Sequence, residues 1–529
     1  MHHCLHISEI IRHIADDLNS SSSRRTLLSF ALTCHAICEP ALDVLWRDES
    51  ASRLVLLFPR GVLEESTVNY RSQWVMTSAP SDAAWARFKR YARRIYTTKV
   101  TIWPSTKLCP SVDWESVLRY YPGPGLWLLP NLQHITISVN CESRYNIRLL
   151  VTPKVRSVDV DCSGQDDMIL ILSALKPCAD SLLVLRLQPH HFSPIPCLFS
   201  ITHIAAVSRE ICYLEALTKV VVTAINLQAL RHLALLPSLI TLSTCIRFLP
   251  GEQSQPSDHY PFLSLTSANL AVHWTQVSEL NEFLSRMLAP VLDDITITYY
   301  APETFTASEV EALPTKTHFD RLCAALTTFT SLTQLKIHEH TQETYPVCMW
   351  QKAYADSINT PGLCALRNLT CLSMACISYA LSPSDLEKMA LAWSHLESLS
   401  LGTDVDKYDG KGPFAEDLIP FAQYCPFLKS LALPIEIRRG FKFPPLTNSI
   451  PMNPSLETLD VGAYISEDFS GDAAAVLGAL FPFATLVGDT QDHYDEEHIS
   501  SMNSAMQGVA QLLLSGRCVL GSGKQDGAR

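Results

Sequence analysis

Charge is scarce in this sequence. Asp, Glu, Lys and Arg make up 18% of its 529 residues, against about 25% in ordinary soluble domains. What charge there is leans acidic: 53 Asp and Glu against 41 Lys and Arg, a formal net charge of −12. An acidic chain repels phosphate backbones and anionic headgroups, which argues against nucleic acid and membrane surfaces as general partners. Glycine is also scarce, 19 Gly against 32 Pro, the reverse of average usage. Glycine-rich cofactor loops are therefore not a theme, and no cofactor is expected. Long apolar runs are missing. Stretches such as Met168 to Leu172 fall far short of the roughly 18–20 residues that span a bilayer. The first apolar stretch is broken by Arg12, His13, Asp16 and Asp17, so no secretory leader is expected. The 17 Cys are odd in number and scattered. That is the pattern of reduced, buried thiols in an intracellular protein, cytoplasmic or nuclear, rather than of a secreted disulfide scaffold. Hydrophobic residues are plentiful at 47%, enough to exclude global disorder. The length suits either three ordinary domains or one long repeat array with a small domain.

Residues 1–50 read as a unit of their own. Ile7, Ile10, Ile11, Ile14 and Leu18 recur at helical spacing, and Ser8 is positioned to cap that helix. The polar run Asn19 to Ser23 reads as a loop. A second helix carries Leu27, Leu28, Ala31 and Leu32. A third is expected to begin near Pro40, a residue tolerated at helix starts, and carries Ala41, Leu42, Val44, Leu45 and Trp46. Three short helices make a marginal core, which calls for a partner surface.

Residues 51–80 read as a connector, with Leu54 to Phe58 a short apolar helix end. A helix then starts near Ser81. Trp85, Phe88, Ala92 and Ile95 share one face, and Arg87, Lys89, Arg90, Arg93 and Arg94 occupy the others. The expectation is aromatics inward and arginines outward, an amphipathic cap on the next domain.

From about residue 96 to 490 one pattern recurs: apolar-x-x-apolar-x-apolar. It appears as Leu132-Ile135-Ile137, Val155-Val158-Val160, Leu182-Leu185-Leu187, Leu217-Val220-Val222 and Leu292-Ile295-Ile297. It continues as Leu332-Leu335-Ile337, Leu369-Leu372-Met374, Leu396-Leu399-Leu401, Leu428-Leu431-Leu433 and Leu456-Leu459-Val461. The last two apolar positions of each set alternate with polar or small residues, as in a half-buried strand. Amphipathic helices precede several sets. One spans Val277, Leu280, Phe283, Leu284 and Leu288, and another opens on a capping box at Ser384. A strand and a helix recurring every ~22–40 residues is the signature of a leucine-rich-repeat solenoid. The asparagine ladder of regular repeats is missing.

The N-terminal stretch resembles an F-box. The matching residues are Ile7-Ser8-Glu9-Ile10-Ile11 with Ile14, then Leu27-Leu28, Ala31-Leu32-Thr33-Cys34 with Ile37, and Ala41-Leu42-Asp43-Val44-Leu45-Trp46. Ser8 stands where the family usually has Pro. The whole chain is similar to fungal F-box proteins with degenerate leucine-rich repeats, whose linker helix Trp-x-x-Phe-x-x-Tyr-Ala-x-Arg is matched by Trp85, Phe88, Tyr91, Ala92 and, displaced by one residue, Arg94. The expected fold is an α/β solenoid: an irregular leucine-rich-repeat horseshoe (81–490) after a three-helix F-box (1–50) and a connector (51–80). A C-terminal tail (491–529) carries a helix and ends in disorder.

The resemblance implies a substrate-recognition adaptor of a Skp–cullin–F-box ubiquitin ligase. Ile7, Ile10, Ile11, Leu28, Cys34, Leu42 and Trp46 would meet a Skp-type adaptor protein. A cullin scaffold would be reached indirectly, and the repeats would hold a substrate protein. The alternative is a binding scaffold acting without a ligase. Within the later repeats the small residues Ser398 and Ser400 line the face expected to be concave, and Arg438, Arg439, Phe441 and Phe443 form a basic–aromatic rim loop. Aromatic and Arg side chains are the usual interface anchors.

Catalytic motifs fail on inspection. Gly521-Ser522-Gly523-Lys524 lacks the leading Gly, Cys518 standing there, and the following Ser or Thr of a phosphate loop, Gln525 standing there. Ser470-Gly471 lacks the flanking Gly of a nucleophile elbow. Cys34-x-x-x-Cys38 has no second ligand pair, and only the two His of His338-Glu339-His340 share a face. His2, His3, Cys4 and His6 are expected to fray at the N-terminus. No metal site and no enzyme activity are expected.

Overall fold

The computed structural model describes residues 7–19, 24–68, 71–101, 111–123, 127–139, 147–162, 165–189, 200–249, 259–300, 316–340, 360–374, 381–402, 413–435, 452–461, 471–487, 503–504, 506–507 and 511. They fall into two compact units, Met1–Cys245 and Ile246–Arg529.

The first unit opens with helices α1 (Ser8–Leu18), α2 (Arg24–Ala31) and α3 (His35–Arg47). Their apolar stripes meet in a small core of Ile11, Ala15, Leu27, Ala31, Ile37, Ala41 and Val44. Two expectations are corrected. Ile7, not Ser8, is the N-cap of α1, and the Ser8 hydroxyl bonds the Glu9 carboxylate instead. The third helix starts five residues before Pro40. Its first turn is held by the N–H groups of Ile37 and Cys38 on the Cys34 carbonyl, at 3.2 and 3.1 Å. Pro40 then forfeits one interior hydrogen bond without ending the helix.

The connector is more ordered than the sequence suggests. A short helix α4 (Ala51–Val55) is followed by an antiparallel hairpin, Leu63–Val68 paired with Arg71–Met76. The next helix, α5 (Asp82–Ala92), is capped by the Ser81 hydroxyl on the Ala84 N–H. Trp85, Phe88, Ala92 and Ile95 are all buried, as their spacing requires.

Six parallel strands complete the first unit: Thr97–Thr101, His134–Val139, Ser157–Cys162, Val184–Pro189, Lys219–Ile225 and Thr241–Ile246, the last of which ends on the first residue of the second unit. The second unit has eight: Ser267–His273, Asp294–Tyr300, Gln334–His340, Cys371–Met374, Ser398–Leu401, Ser430–Ala432, Thr458–Asp460 and Thr485–Val487. Helices precede many of these strands, so both units are α/β repeat stacks in which each repeat buries its apolar face against its neighbours. All thirty apolar positions of the ten recurring sets are buried. Within each unit, successive repeats up to the strand Thr458–Asp460 are fastened the same way: one carbonyl accepts two successive N–H groups of the next repeat. Thr370 O accepts from Glu397 and Ser398, Glu397 O from Lys429 and Ser430, and Lys429 O from Glu457 and Thr458, at 2.7–3.1 Å.

Four strands escaped the pattern because their inward positions are not all aliphatic. Thr98 and Thr244 are buried in two of them, Ala268 in a third, and the last, Thr485–Val487, offers only Leu486. The missing asparagine ladder is replaced by a mixed polar one. Ser181, Ser238 and Ser331, each just before a leading leucine, donate to Val155 O, Leu217 O and Leu292 O at 2.7–3.1 Å. Asn131, Asn368 and Asn453 reach Arg93 O, Thr330 O and Cys425 O, each at 2.8 Å. The capping box lies two residues earlier than expected: Ser382 accepts from the Asp385 N–H, and Asp385 accepts from the Ser382 N–H. Helix Val277–Arg286 buries Val277, Leu280, Phe283 and Leu284, but Leu288 lies past its end and is exposed. No helix among the described residues is long and apolar enough to cross a membrane.

Candidate partner-docking surface

The N-terminal bundle presents two faces of opposite character. Helices α1 and α2, with the residues that flank them, leave large aliphatic side chains in solvent: Ile7 is 47% exposed, Ile10 36%, Leu28 46% and Leu32 75%. Each sits beside a buried neighbour on the same helix, Ile11 in α1 and Leu27 and Ala31 in α2. A helix apolar on more than one face buries one stripe in its own core and leaves the other unpartnered. Leu28 and Leu32 stand one turn apart, on the same side of α2.

The other face belongs to α3 and is committed within the chain. Trp46 is half-buried and lies against Tyr91 of α5, ring centroids 4.8 Å apart. Arg94, whose side chain is only 8% exposed, donates to the Glu39 carbonyl at 3.1 Å and also to the Glu39 and Asp43 carboxylates. Arg90 takes the second Glu39 oxygen, and Arg12 of α1 stands 3.9 Å from Asp43. The hydrogen bond from Arg94, opposed by partial desolvation and reinforced by Arg90, holds the Glu39 carboxyl below its ordinary range. Further along, the Tyr96 N–H donates to Arg47 O at 3.0 Å. The Thr98 hydroxyl donates to Glu49 O at 3.0 Å and accepts from the Ala51 N–H at 2.8 Å. From Glu39 to its end, and on through its exit, α3 is therefore fastened to α5 and to the start of the array.

Of the arginines expected to face outward from α5, Arg87, Arg90 and Arg93 are exposed, and Arg94 is buried. Arg87 donates to Leu57 O, and Arg90 and Arg94 to α3. Even the exposed Arg87 and Arg90 are tied down within the chain: Arg87 meets a carbonyl 30 positions earlier, and Arg90 and Arg94 meet carboxylates 51–55 positions earlier, which periodicity does not reveal.

The residues expected to meet an adaptor thus separate. Ile7, Ile10 and Leu28 are exposed. Ile11 is 1% exposed and belongs to the bundle core, where no partner reaches it. Cys34 packs partly against that core. Leu42 and Trp46 are half-buried, Trp46 against Tyr91. Leu32, absent from the expected set, is the most exposed of the large apolar side chains in the bundle.

In the later repeats, Ser398 and Ser400 are half-buried on the face opposite the core, in register with Cys371 and Ser373 on one side and Ser430 and Ala432 on the other. The structure brings together a smooth, uncharged strip there. Arg438, Arg439, Phe441 and Phe443 lie outside the described residues.

No protein-family model matches the sequence, and no curated protein matches it. Among solved structures, the chain is similar to the leucine-rich repeat-containing protein LegL7 from Legionella pneumophila, at 15% identity and a TM-score of 0.33 over 70% of this chain and 98% of that one. It is also similar to the complex of Rad7 and Elc1 in yeast, at 15% identity and a TM-score of 0.33 over 73% of this chain and 80% of that one. A Bacteroides fragilis protein aligns at 12% identity and a TM-score of 0.23 over 49% of this chain and 61% of that one.

Proposed function

We propose that the chain is a non-catalytic substrate adaptor of a Skp–cullin–F-box ubiquitin ligase. The bundle of α1–α3 acts as the F-box, and the repeat array holds the substrate protein. One observation carries the reading: the bundle commits α3 to the array while leaving Ile7, Ile10, Leu28 and Leu32 of α1 and α2 in solvent. A marginal three-helix core with an uncovered aliphatic face calls for a partner of matching apolar surface. The F-box resemblance of the same residues names that partner as a Skp-type adaptor, with a cullin behind it.

The chemistry then takes place elsewhere. A substrate lysine attacks the ubiquitin thioester on a conjugating enzyme, forming an isopeptide bond and releasing that enzyme's thiol. The adaptor chain breaks no bond of its own. It raises the effective concentration of lysine at thioester.

The test is capture from a native extract with the full chain as bait, alongside a Leu28→Glu/Leu32→Glu variant. Wild type should bring down the Skp-type adaptor and the cullin together, and the variant neither. Recovery of array-bound proteins without adaptor or cullin would replace this reading with that of a repeat scaffold acting without a ligase.

A further inference from the structure

Among the described residues, Arg94 is the one guanidinium from outside α3 that reaches that helix at two places. Its donors contact the Glu39 carbonyl, the Glu39 carboxylate and the Asp43 carboxylate, and so grip α3 across four residues, about one helical turn. A planar guanidinium holding two carboxylates at once fixes direction as well as distance. Around it, Arg90 restrains the second oxygen of Glu39 and Tyr91 packs on Trp46. Arg94 leaves α5 two residues after its last helical residue, at the entry to the first strand of the array. It therefore sits at the joint between the bundle and the repeats, with most of its own surface buried.

We propose that Arg94 is a positioning residue: it sets the angle at which the three-helix bundle leaves the first repeats, and so where a partner held on Leu28 and Leu32 stands relative to the array. The inference rests on the adaptor reading for its functional consequence, though not for its geometry. A bundle swinging on a bare linker would present a bound lysine over a wide volume. A bundle held at Arg94 presents it in a narrow one, which keeps the effective concentration of lysine at thioester high.

The test has two arms, both on the full chain. In the first, spin labels on ketone-bearing residues replace Leu32 in the bundle and Asp180 in the repeats, and the label-to-label distance distribution is measured. Wild type should give one narrow distribution. Arg94→Gln should broaden it, and Arg94→Lys, a point charge in place of the fork, should fall between. Glu39→Gln removes the charge that Arg94 and Arg90 meet at a half-exposed acceptor, and should broaden the distribution even if Arg94→Gln disturbs folding. Equal widths in wild type, Arg94→Gln and Glu39→Gln would overturn the proposal. In the second arm, the chain is assembled with a Skp-type adaptor, a cullin and a charged conjugating enzyme, and ubiquitin on its own lysines is mapped. Wild type should be modified on a restricted subset, and Arg94→Gln, with adaptor capture unchanged, on a wider set. An unchanged lysine pattern would overturn the functional consequence. Failure of wild type to capture the adaptor would instead remove the ligase reading, with the distance measurement still deciding the role of Arg94.

Discussion

Tyr91 lies against Trp46 with ring centroids 4.8 Å apart and planes tilted by 41°. This contact gives the half-buried tryptophan of α3 a partner inside the chain. Large aromatic residues are frequent anchors of interfaces, yet here part of that surface is already used to seat the bundle on the repeats.

The two roles are separable. Trp46→Ala should lower stability by about 1–3 kcal/mol, the usual range for losing a partly buried aromatic contact. Leu28→Glu and Leu32→Glu, in solvent, should change stability by about 0.5 kcal/mol or less while abolishing adaptor capture. Urea unfolding and pull-down on the same variants check this. A Trp46→Ala protein with an unchanged unfolding midpoint would contradict the docking role.

Much of this arrangement was visible beforehand. Burial of all thirty positions in the ten leucine patterns follows from their period, because a strand exposes alternate residues to opposite faces. The stripe of α5 likewise predicted which residues it buries. What stayed hidden was pairing over long separations. Nothing near Arg94 in sequence marks Glu39 and Asp43 as its partners, and the hairpin at Leu63–Met76 carries no glycine-type turn signal. Strands with Thr98, Thr244 or Ala268 facing inward were missed because small or polar residues there satisfy the packing without matching an apolar template. The polar ladder was missed because Ser and Asn share one task, answering a carbonyl of the preceding repeat, at positions that shift between repeats.

Acid should loosen the bundle. The Glu39 carboxyl is held below its ordinary value of 4.5, chiefly by the hydrogen bond from Arg94. A carboxyl depressed in the folded state contributes stability above its unfolded value, and that contribution is lost as pH falls through the folded value. The unfolding midpoint of Glu39→Gln should therefore lie below wild type at about pH 7 and approach it as the pH falls below the ordinary carboxyl range and through the folded value. A difference that persists undiminished in acid would show that Glu39 acts by shape rather than by charge.

The polar ladder predicts costs unrelated to apolar volume. Asn453 is buried, donates to Cys425 O at 2.8 Å and accepts from the Ser455 N–H at 2.8 Å. Asn453→Ala should destabilise the second unit by about 1–3 kcal/mol, because the groups left behind lose their partners away from water. Leu399→Ala, at a wholly buried position of the neighbouring ladder, should cost about 2–5 kcal/mol by leaving a cavity. Denaturant unfolding of the two variants should give the larger loss for Leu399. The reverse order would mean that the turn hydrogen bonds, rather than the leucine stack, dominate these repeats.

The last strand of the second unit has an open side, and Asn503 closes it. Thr485 spends its N–H on Glu457 O at 2.9 Å. In a parallel ladder the next residue then points its N–H and C=O the other way. Those two groups of Leu486 meet the Asn503 carboxamide: the N–H donates to Oδ1 at 2.7 Å, and Nδ2 donates to the carbonyl at 3.2 Å. One side chain thereby imitates the backbone of a further strand. The segment is held close because Gly478 has no Cβ; a methyl group there would stand 2.6 Å from the Met506 carbonyl oxygen. Asn503→Ala should therefore leave the edge of Leu486 unanswered, and Gly478→Ala should push the covering segment off by steric contact. Both should cost about 1–3 kcal/mol if the edge stays unpaired. Both should also raise self-association, since an uncovered strand edge is a template for pairing between chains. Hydrogen exchange at the Leu486 amide and light scattering read the two consequences. Should Gly478→Ala leave that amide as protected as in wild type, the close approach of Met506 is not what holds Asn503 in place.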